Sequence, residues 1–279
     1  MKEPKLSPTP SNVYSFSRVK CFDQCPLRYR YRYLQGLKEA FRSIESHLGS
    51  KVHDILEWLY AERERGSEPD EAAMLERFAD RWATGKDDSI AIVRVDDDEA
   101  DYLQLGREML CQFYGDTFAR DRSLTLSLEQ RLSVRLSNSI VFTGFADRVG
   151  RTEQGRLFVI DYKTSKTEGN GAEFSEGLQA PLYAACVLEQ FDEEEALAGY
   201  HYLRHGTTRW QRVDRVRARQ LMDRFLDLAN EVEASGEFPA RPGILCAWCG
   251  FNADCPAADV PDRFSGGLRL AQRESRRLF

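Results

Sequence analysis

The sequence predicts an α/β protein with a mixed central β-sheet flanked by helices, and three observations carry that reading. Helical stretches are read near 46–64, 71–83, 99–119, 176–190 and 214–234, the clearest with Leu48, Val52, Ile55, Leu56 and Leu59 at helical spacing. Between them, the even positions from Leu124 to Leu136 read Leu, Leu, Leu, Gln, Leu, Val, Leu, and the odd positions are polar. Period two over that length is the pattern of a half-buried strand. Two more strands follow at 139–149 and 156–163, joined through the turn TEQG at 152–155, and the chain returns through a helix to a strand at 197–204. Helix, three strands, helix, strand is the order of a sheet covered by helices.

The bulk numbers bound the function. The chain has 279 residues, 42% of them hydrophobic and 30% charged, which suits one large or two small globular domains and excludes a fibrous or wholly disordered chain. Its longest uncharged, mostly apolar run, 180–188, falls far short of the ~18 residues of a membrane helix. The opening MKEPKLSPTPSN has no apolar core of a secretory signal, so a cytoplasmic location is expected. The net charge of −6 gives no bulk attraction for nucleic acid and leaves only local patches. Composition divides the chain into a Pro- and Ser-rich tail over 1–12, one domain over 13–260 and a basic tail over 261–279. Acids crowd 87–101, the pattern of a solvated loop at a helix start.

The chemistry concentrates at the strand ends. Asp147 ends the second strand, Asp161 ends the third, and Lys163 follows two residues on. Residues i and i+2 of a strand share a face, so Asp161 and Lys163 project together, below Leu157 and Val159 on an otherwise apolar face. Lone charges there need partners. Two acids beside one lysine suit a divalent cation with oxygen ligands such as Mg²⁺, with the lysine next to an attacking water or a phosphate oxygen. The plain alternative is an ion pair at a strand end.

GFADRV (144–149) followed by VIDYKTS (159–165) resembles the second and third motifs of the PD-(D/E)XK nuclease superfamily. The likeness is to its RecB-like exonuclease branch, which includes CRISPR-associated and AddB-type nucleases. Three further elements stand in the order of that branch: GSKVH with Gly49 and His53, QAPLY with Gln179 and Tyr183, and a cysteine set. The resemblance spans about Ser15 to Pro256. It implies a restriction-endonuclease-like core and cleavage of DNA phosphodiester bonds, with an exonuclease acting on single-stranded or end-opened DNA in repair, recombination or CRISPR-type adaptation. The implied metal ligands for Mg²⁺ or Mn²⁺ are Asp147, Asp161, His53 and the carbonyl of Tyr162. Lys163 is the implied catalytic lysine, and Gln179 with Tyr183 orients the site or the DNA. Asp161 stands where many members carry Glu. From the residues alone, His53 reads as a packed helix residue, Gln179 and Tyr183 equally as an i,i+4 pair, and Glu129 as a surface residue on the polar face of the first strand; beside the resemblance, Glu129 is kept as an accessory of the site.

Cys246, Cys249 and Cys255 form C-x₂-C-x₅-C, and a tetrahedral thiolate site needs a fourth sulfur from elsewhere. Cys25, followed by Pro26, matches the N-terminal cysteine that joins three C-terminal ones around a [4Fe–4S] cluster in the iron–sulfur members of the branch. The resemblance thus implies a helical iron–sulfur cap built from both chain ends. Zinc remains the alternative metal and Cys21 the alternative ligand; Cys21, Cys111 and Cys186 otherwise read as core residues. The stretch from Arg18 to Lys38 interleaves cations with Tyr29, Tyr31 and Tyr33, and the tail adds Arg263, Arg269, Arg273, Arg276 and Arg277. These features fit phosphates and unpaired bases, or a solvated basic face with tyrosines packed beneath it. The implied partners are DNA, single-stranded by preference, and a helicase or other repair or adaptation proteins, with no membrane. A nuclease-like scaffold without cleavage and a redox iron–sulfur protein are the rival functions; the first leaves intact Asp147, Asp161 and Lys163 unexplained, and the second leaves the D-x-K strand unexplained.

Overall fold

A computed structural model describes residues 12–85, 89–168, 177–258 and 260. Both expected tails, apart from Asn12, lie outside these residues, as do Asp87 and Asp88 of the acidic loop. The elements run β1 (Asn12–Tyr14), α1 (Phe16–Gln24), α2 (Pro26–Tyr29) continuing as a π-helical turn (Arg30–Leu34), β2 (Arg42–Ser43), α3 (Ile44–Glu64), α4 (Glu71–Thr84), β3 (Ile90–Ala91) and α5 (Glu99–Asp116). They continue with β4 (Leu124–Arg135), β5 (Ile140–Arg151), β6 (Leu157–Lys163), α6 (Gln179–Phe191), β7 (Glu195–Tyr202), β8 (Thr207–Asp214) and α7 (Arg215–Ala234), followed by a 3₁₀ turn at Ile244–Trp248.

Local chemistry sets the helix starts. Ser43 caps α3 by accepting from the Ser46 amide, Asp214 caps α7 by accepting from Arg217, and Asp98 and Asp101 form a reciprocal capping box at α5. The acids read as a loop at a helix start thus include the residues that begin α5.

The main sheet is mixed, in the order β1-β5-β6-β7-β8, with β4 also on β5. Helix α6 makes the crossover between the parallel strands β6 and β7. Leu157 and Val159 of β6 enter one apolar layer with α6 and α7, while Phe158, Ile160 and Tyr162 enter the other with α3, α4 and α5. This strict alternation puts Leu157 and Val159 on one core face, as the i, i+2 reading of that strand expects. Strand β5 forks: residues 140–142 pair with β1, residues 148–151 pair with β6, and Asp147 sits at the parting.

Two features were not read element by element from the sequence, and a third departs from its reading. The basic segment folds as α1, α2 and the π turn. Strand β8 is an edge strand that buries only Val213, too little for a periodic signal. In β4 the alternation changes face. A register shift falls between Thr125 and Ser127, so Leu124 and Leu126 are exposed and Thr125 is buried. Glu129 then takes φ +44°, a left-handed conformation rare for a side chain larger than glycine.

The segments 27–45 and 239–250 meet. Ala40 donates its amide to Gly250, Leu27 to Pro239, and the Trp248 indole donates to Glu45 at the start of α3. A small cluster of Phe41, Ala91, Val93 and Ala247 fastens this cap to the β2–β3 ladder.

Candidate metal centre

Asp147 replaces a strand carbonyl. Where β5 leaves β6, its Oδ2 accepts the amide of Tyr162 at 2.7 Å, so the carboxylate continues the ladder that the backbone abandons. Opposite it on β4, between the pairs Leu128–Arg148 and Gln130–Ala146, stands Glu129. Helix α3 brings His53 to both. The ligand atoms of His53, Glu129 and Asp147 all lie within 4.8 Å of one another. His53 Nδ1 is 3.5 Å from Asp147 Oδ1, and His53 Nε2 donates to the Tyr162 carbonyl at 2.9 Å.

Gly49 leaves room for the close approach of α3. A Cβ there would stand 3.2 Å from Thr164 Oγ1, at the end of β6. This agrees with the expectation that a glycine one turn before His53 lets helix and sheet meet.

On the other face of β6, Asp161 is 3% exposed and its Oδ2 lies 2.7 Å from Lys163 Nζ. Lys163 also donates to Gln179 Oε1 at 2.9 Å, and Gln179 Nε2 donates to the Tyr183 hydroxyl at 3.2 Å. The ammonium is thus held by a relay from α6 that fixes its direction. His53, Asp147 and the Tyr162 carbonyl converge directly, while Asp161 sits next to them in an ion pair with Lys163.

The electrostatics are those of crowded acids. Burial and the Asp147 carboxylate push Glu129 up to about 7, against the His53 imidazole. Burial raises Asp161 from the usual carboxylate range, with Lys163 opposing and Asp147 adding to the rise. Burial alone would lower His53, but Asp147 outweighs it and holds the imidazole at about 9. One nitrogen and several carboxylate oxygens, half buried and mutually repelling, form a donor set that fits a divalent cation. Glu129 corrects the surface reading. Its place in the trio was hidden because its identity matches the polar periodicity around it; only its register against Asp147 marks it.

The cysteines behave differently from one another. Cys21 and Cys186 are buried, as expected, but Cys111 is only partly so. Cys25, Cys246, Cys249 and Cys255 line one pocket between α2 and the C-terminal turn. The Gly243 amide donates to Cys246 Sγ at 3.5 Å. Among the described residues no three of these sulfurs fall within 4.8 Å of one another. The basic segment resolves toward its plainer reading. Tyr29 is 1% exposed and packs on Phe22 and Phe238, Arg18 lies over the rings of Tyr14, Tyr29 and Tyr33, and Arg28 and Arg32 pair with Glu39. Tyr29 is therefore not open to a base.

The profile of the PD-(D/E)XK nuclease superfamily matches residues 13–256. The chain belongs to that superfamily. PD-(D/E)XK nucleases use divalent metals, and the acids at the fork of β5 are where this member gathers such donors. Among curated proteins, 183 residues are 26% identical to a subunit of the ATP-dependent helicase/deoxyribonuclease of Streptococcus agalactiae, over 64% of this chain and 16% of that protein. The corresponding Streptococcus mutans protein is 26% identical over 201 residues, 70% of this chain and 18% of that protein. The chain therefore spans less than a fifth of these relatives. Within the PD-(D/E)XK match lie both the D…D-x-K residues and the four pocket cysteines. No helix among the described residues is long and apolar enough to cross a membrane.

Proposed function

We propose that the protein is a divalent-metal-dependent deoxyribonuclease acting from strand ends on single-stranded or end-opened DNA. The observation that carries this reading is the convergence of His53, Glu129 and Asp147 beside the Asp161–Lys163 pair. His53, Asp147, Glu129 and Asp161, with the Tyr162 carbonyl, are the groups that would hold Mg²⁺ or Mn²⁺. The bound cation supplies Lewis-acid polarisation of the phosphate and a lowered pKa for water. The protein does the rest. Gln179 and Tyr183 aim the Lys163 ammonium at the reacting phosphate, where it orients the attacking water and offsets the charge that develops. Water oxygen bonds to phosphorus, the bond to the leaving sugar oxygen breaks, and the products are a phosphate monoester and a hydroxyl.

The four pocket cysteines support the iron–sulfur cap. One zinc ion with Zn–S bonds near 2.3 Å draws its sulfurs to within roughly 4 Å of each other. A [4Fe–4S] cluster is larger and is held by four thiolates, the number that lines this pocket. The helicase/deoxyribonuclease relatives support work beside a helicase in a repair or adaptation pathway.

The test is digestion of 5′- and 3′-labelled single strands by anaerobically purified protein with Mg²⁺, Mn²⁺ or EDTA. Metal-dependent release of nucleotides from one labelled end supports the reading. No cleavage under any metal, with DNA still bound, overturns it in favour of a silent DNA-binding protein.

A further inference from the structure

Phe145 is 55% exposed and lies in the fork of β5, paired with β4 on one side while β1 ends before it and β6 begins after it on the other. Its flanking residues explain why. Gly144 faces Tyr183, and Ala146 is buried in the layer of α6 and α7. Alternation therefore turns Phe145 to the opposite, solvent side. Its cross-strand partner on that side is Arg131, also exposed. The same face continues through Ser133 and Thr143 to the exposed Arg135. In the other direction it reaches Asp147 and Glu129 within two residues, about 6–7 Å along the strand. A strip about 20 Å long, counted at strand rise from Arg135 to Glu129, thus carries two arginines and one open aromatic ring, and its acids stand only at the metal centre.

An exposed phenylalanine on a sheet face gains nothing from solvent. Cations spaced along a strand neutralise phosphates, and an aromatic face stacks on an unpaired base. Arg131 and Arg135 give the strip the charge complementary to a nucleic-acid backbone. Tyr183 also makes a hydrogen bond to the Phe145 backbone, which holds the ring's strand in place from behind. We infer that the β4–β5 strip is the landing surface for a single DNA strand. Phe145 stacks on a base flanking the scissile phosphate, and Arg131 and Arg135 bind phosphates farther along. This rests on the nuclease reading above and adds the surface that selects unpaired DNA. A duplex keeps its bases stacked on each other and offers Phe145 none.

The experiment measures binding of a fluorescein-labelled oligothymidine in Ca²⁺, without cleavage, to the full chain and to Phe145→Ala, Phe145→Trp and Arg131→Ala. Phe145→Ala is expected to weaken binding about 10-fold, within the range of one base–aromatic stack, and Phe145→Trp to retain it. Arg131→Ala is expected to lower the salt dependence of log affinity by roughly 0.7 of a unit, one phosphate on a single strand. A 2-aminopurine next to the terminal phosphate is expected to be quenched by the wild type and to brighten in Phe145→Ala. In Mn²⁺, Phe145→Ala is expected to raise KM more than it lowers kcat. Binding by Phe145→Ala within twofold of wild type, with 2-aminopurine unchanged, overturns the strip. The nuclease reading fails separately, by absence of wild-type cleavage in Mn²⁺, and the binding arm still decides the strip in that case.

Discussion

The ring of Tyr183 fills the space that a side chain on residue 144 would need: a Cβ there would overlap the ring edge and lie 3.1 Å from both Cζ and the hydroxyl. The glycine of one motif and the tyrosine of another are thus two halves of one contact. Gly144→Ala is expected to displace Tyr183, loosen Gln179 and Lys163 behind it, and cost about 1–3 kcal/mol of stability, as overpacking does. Gly144→Ala in a Tyr183→Ala background should cost less than in the wild type. Thermal unfolding of the four proteins checks this, and simple additivity would show that the two residues are not coupled.

Lys163→Ala should leave the fold and metal binding intact and lower DNA cleavage about 10²–10⁴-fold, roughly 3–5 kcal/mol of transition-state stabilisation. Gln179→Leu removes the acceptor 2.9 Å from Nζ and should lower kcat by a smaller factor. Asp161→Ala should differ from both by also weakening Mn²⁺ affinity. Near wild-type cleavage by folded Lys163→Ala would mean that the Asp161–Lys163 contact is a strand-end ion pair and no more.

Acidity should destabilise the metal-free protein less than its carboxylates alone suggest. Glu129 titrates near 7 in the folded chain against 4.5 in an unfolded one, so the native state holds the extra proton between those values. Its contribution to stability is present below 4.5 and lost as pH rises to 7. His53, at about 9 against 6.5, contributes below 6.5, and that contribution is lost as pH rises through 9. Glu129→Gln should therefore flatten the decline from 4.5 to 7 and only shrink the one above it, because Asp147 is the larger of the charges that raise His53 and Glu129 a smaller one. Because ligands bind deprotonated, Mn²⁺ should raise the melting temperature more at pH 8 than at pH 6. Melting curves in EDTA and in Mn²⁺ across that range decide it; equal Mn²⁺ shifts at both pH values would count against the site.

The cap should make the purified protein brown, with absorbance near 400 nm and roughly four irons per chain. Cys249→Ser should be colourless and more protease-sensitive, because metal-binding energy is partly folding energy. Cys21→Ser should stay brown, since Cys21 is buried and lies outside the pocket lined by the other four. Stoichiometric zinc without iron would refute the cluster.

The sequence made α3, α4, α5 and α7 legible because each shows one apolar face, and α3 begins within two residues of its reading; α6 is buried all round from 180 to 188, and α1 and α2 were not read. The paired face of Asp161 and Lys163 was legible for the same reason, since β6 keeps its alternation without a break. Strand β4 was legible as a strand but not in its faces. A register shift and one left-handed residue reverse the sides mid-strand, and neither leaves a glycine or proline to announce it. Glu129 was therefore legible only as an accessory, and its place opposite Asp147 shows in the register alone. Nothing in Arg28 to Tyr33 told a stacking surface from an internal one, because the buried Tyr29 and the half-buried Tyr31 and Tyr33 are one residue type at one spacing.

The amide of Tyr162 hangs on a side chain that is also a candidate ligand, and this makes it a gauge. Elsewhere β6 bonds to its neighbours through main-chain carbonyls, whose acceptor strength no bound ion alters. Here the acceptor is Asp147 Oδ2, whose electron density a cation would draw upon. Hydrogen exchange at this amide should speed up or slow down with site occupancy while its neighbours in β6 stay constant. The same feature divides substitutions at Asp147 in two. Asparagine keeps an oxygen that can accept the amide, so it reports on charge alone. Alanine also unhooks β5 from β6 at the fork, so its effect mixes lost chemistry with an opened sheet.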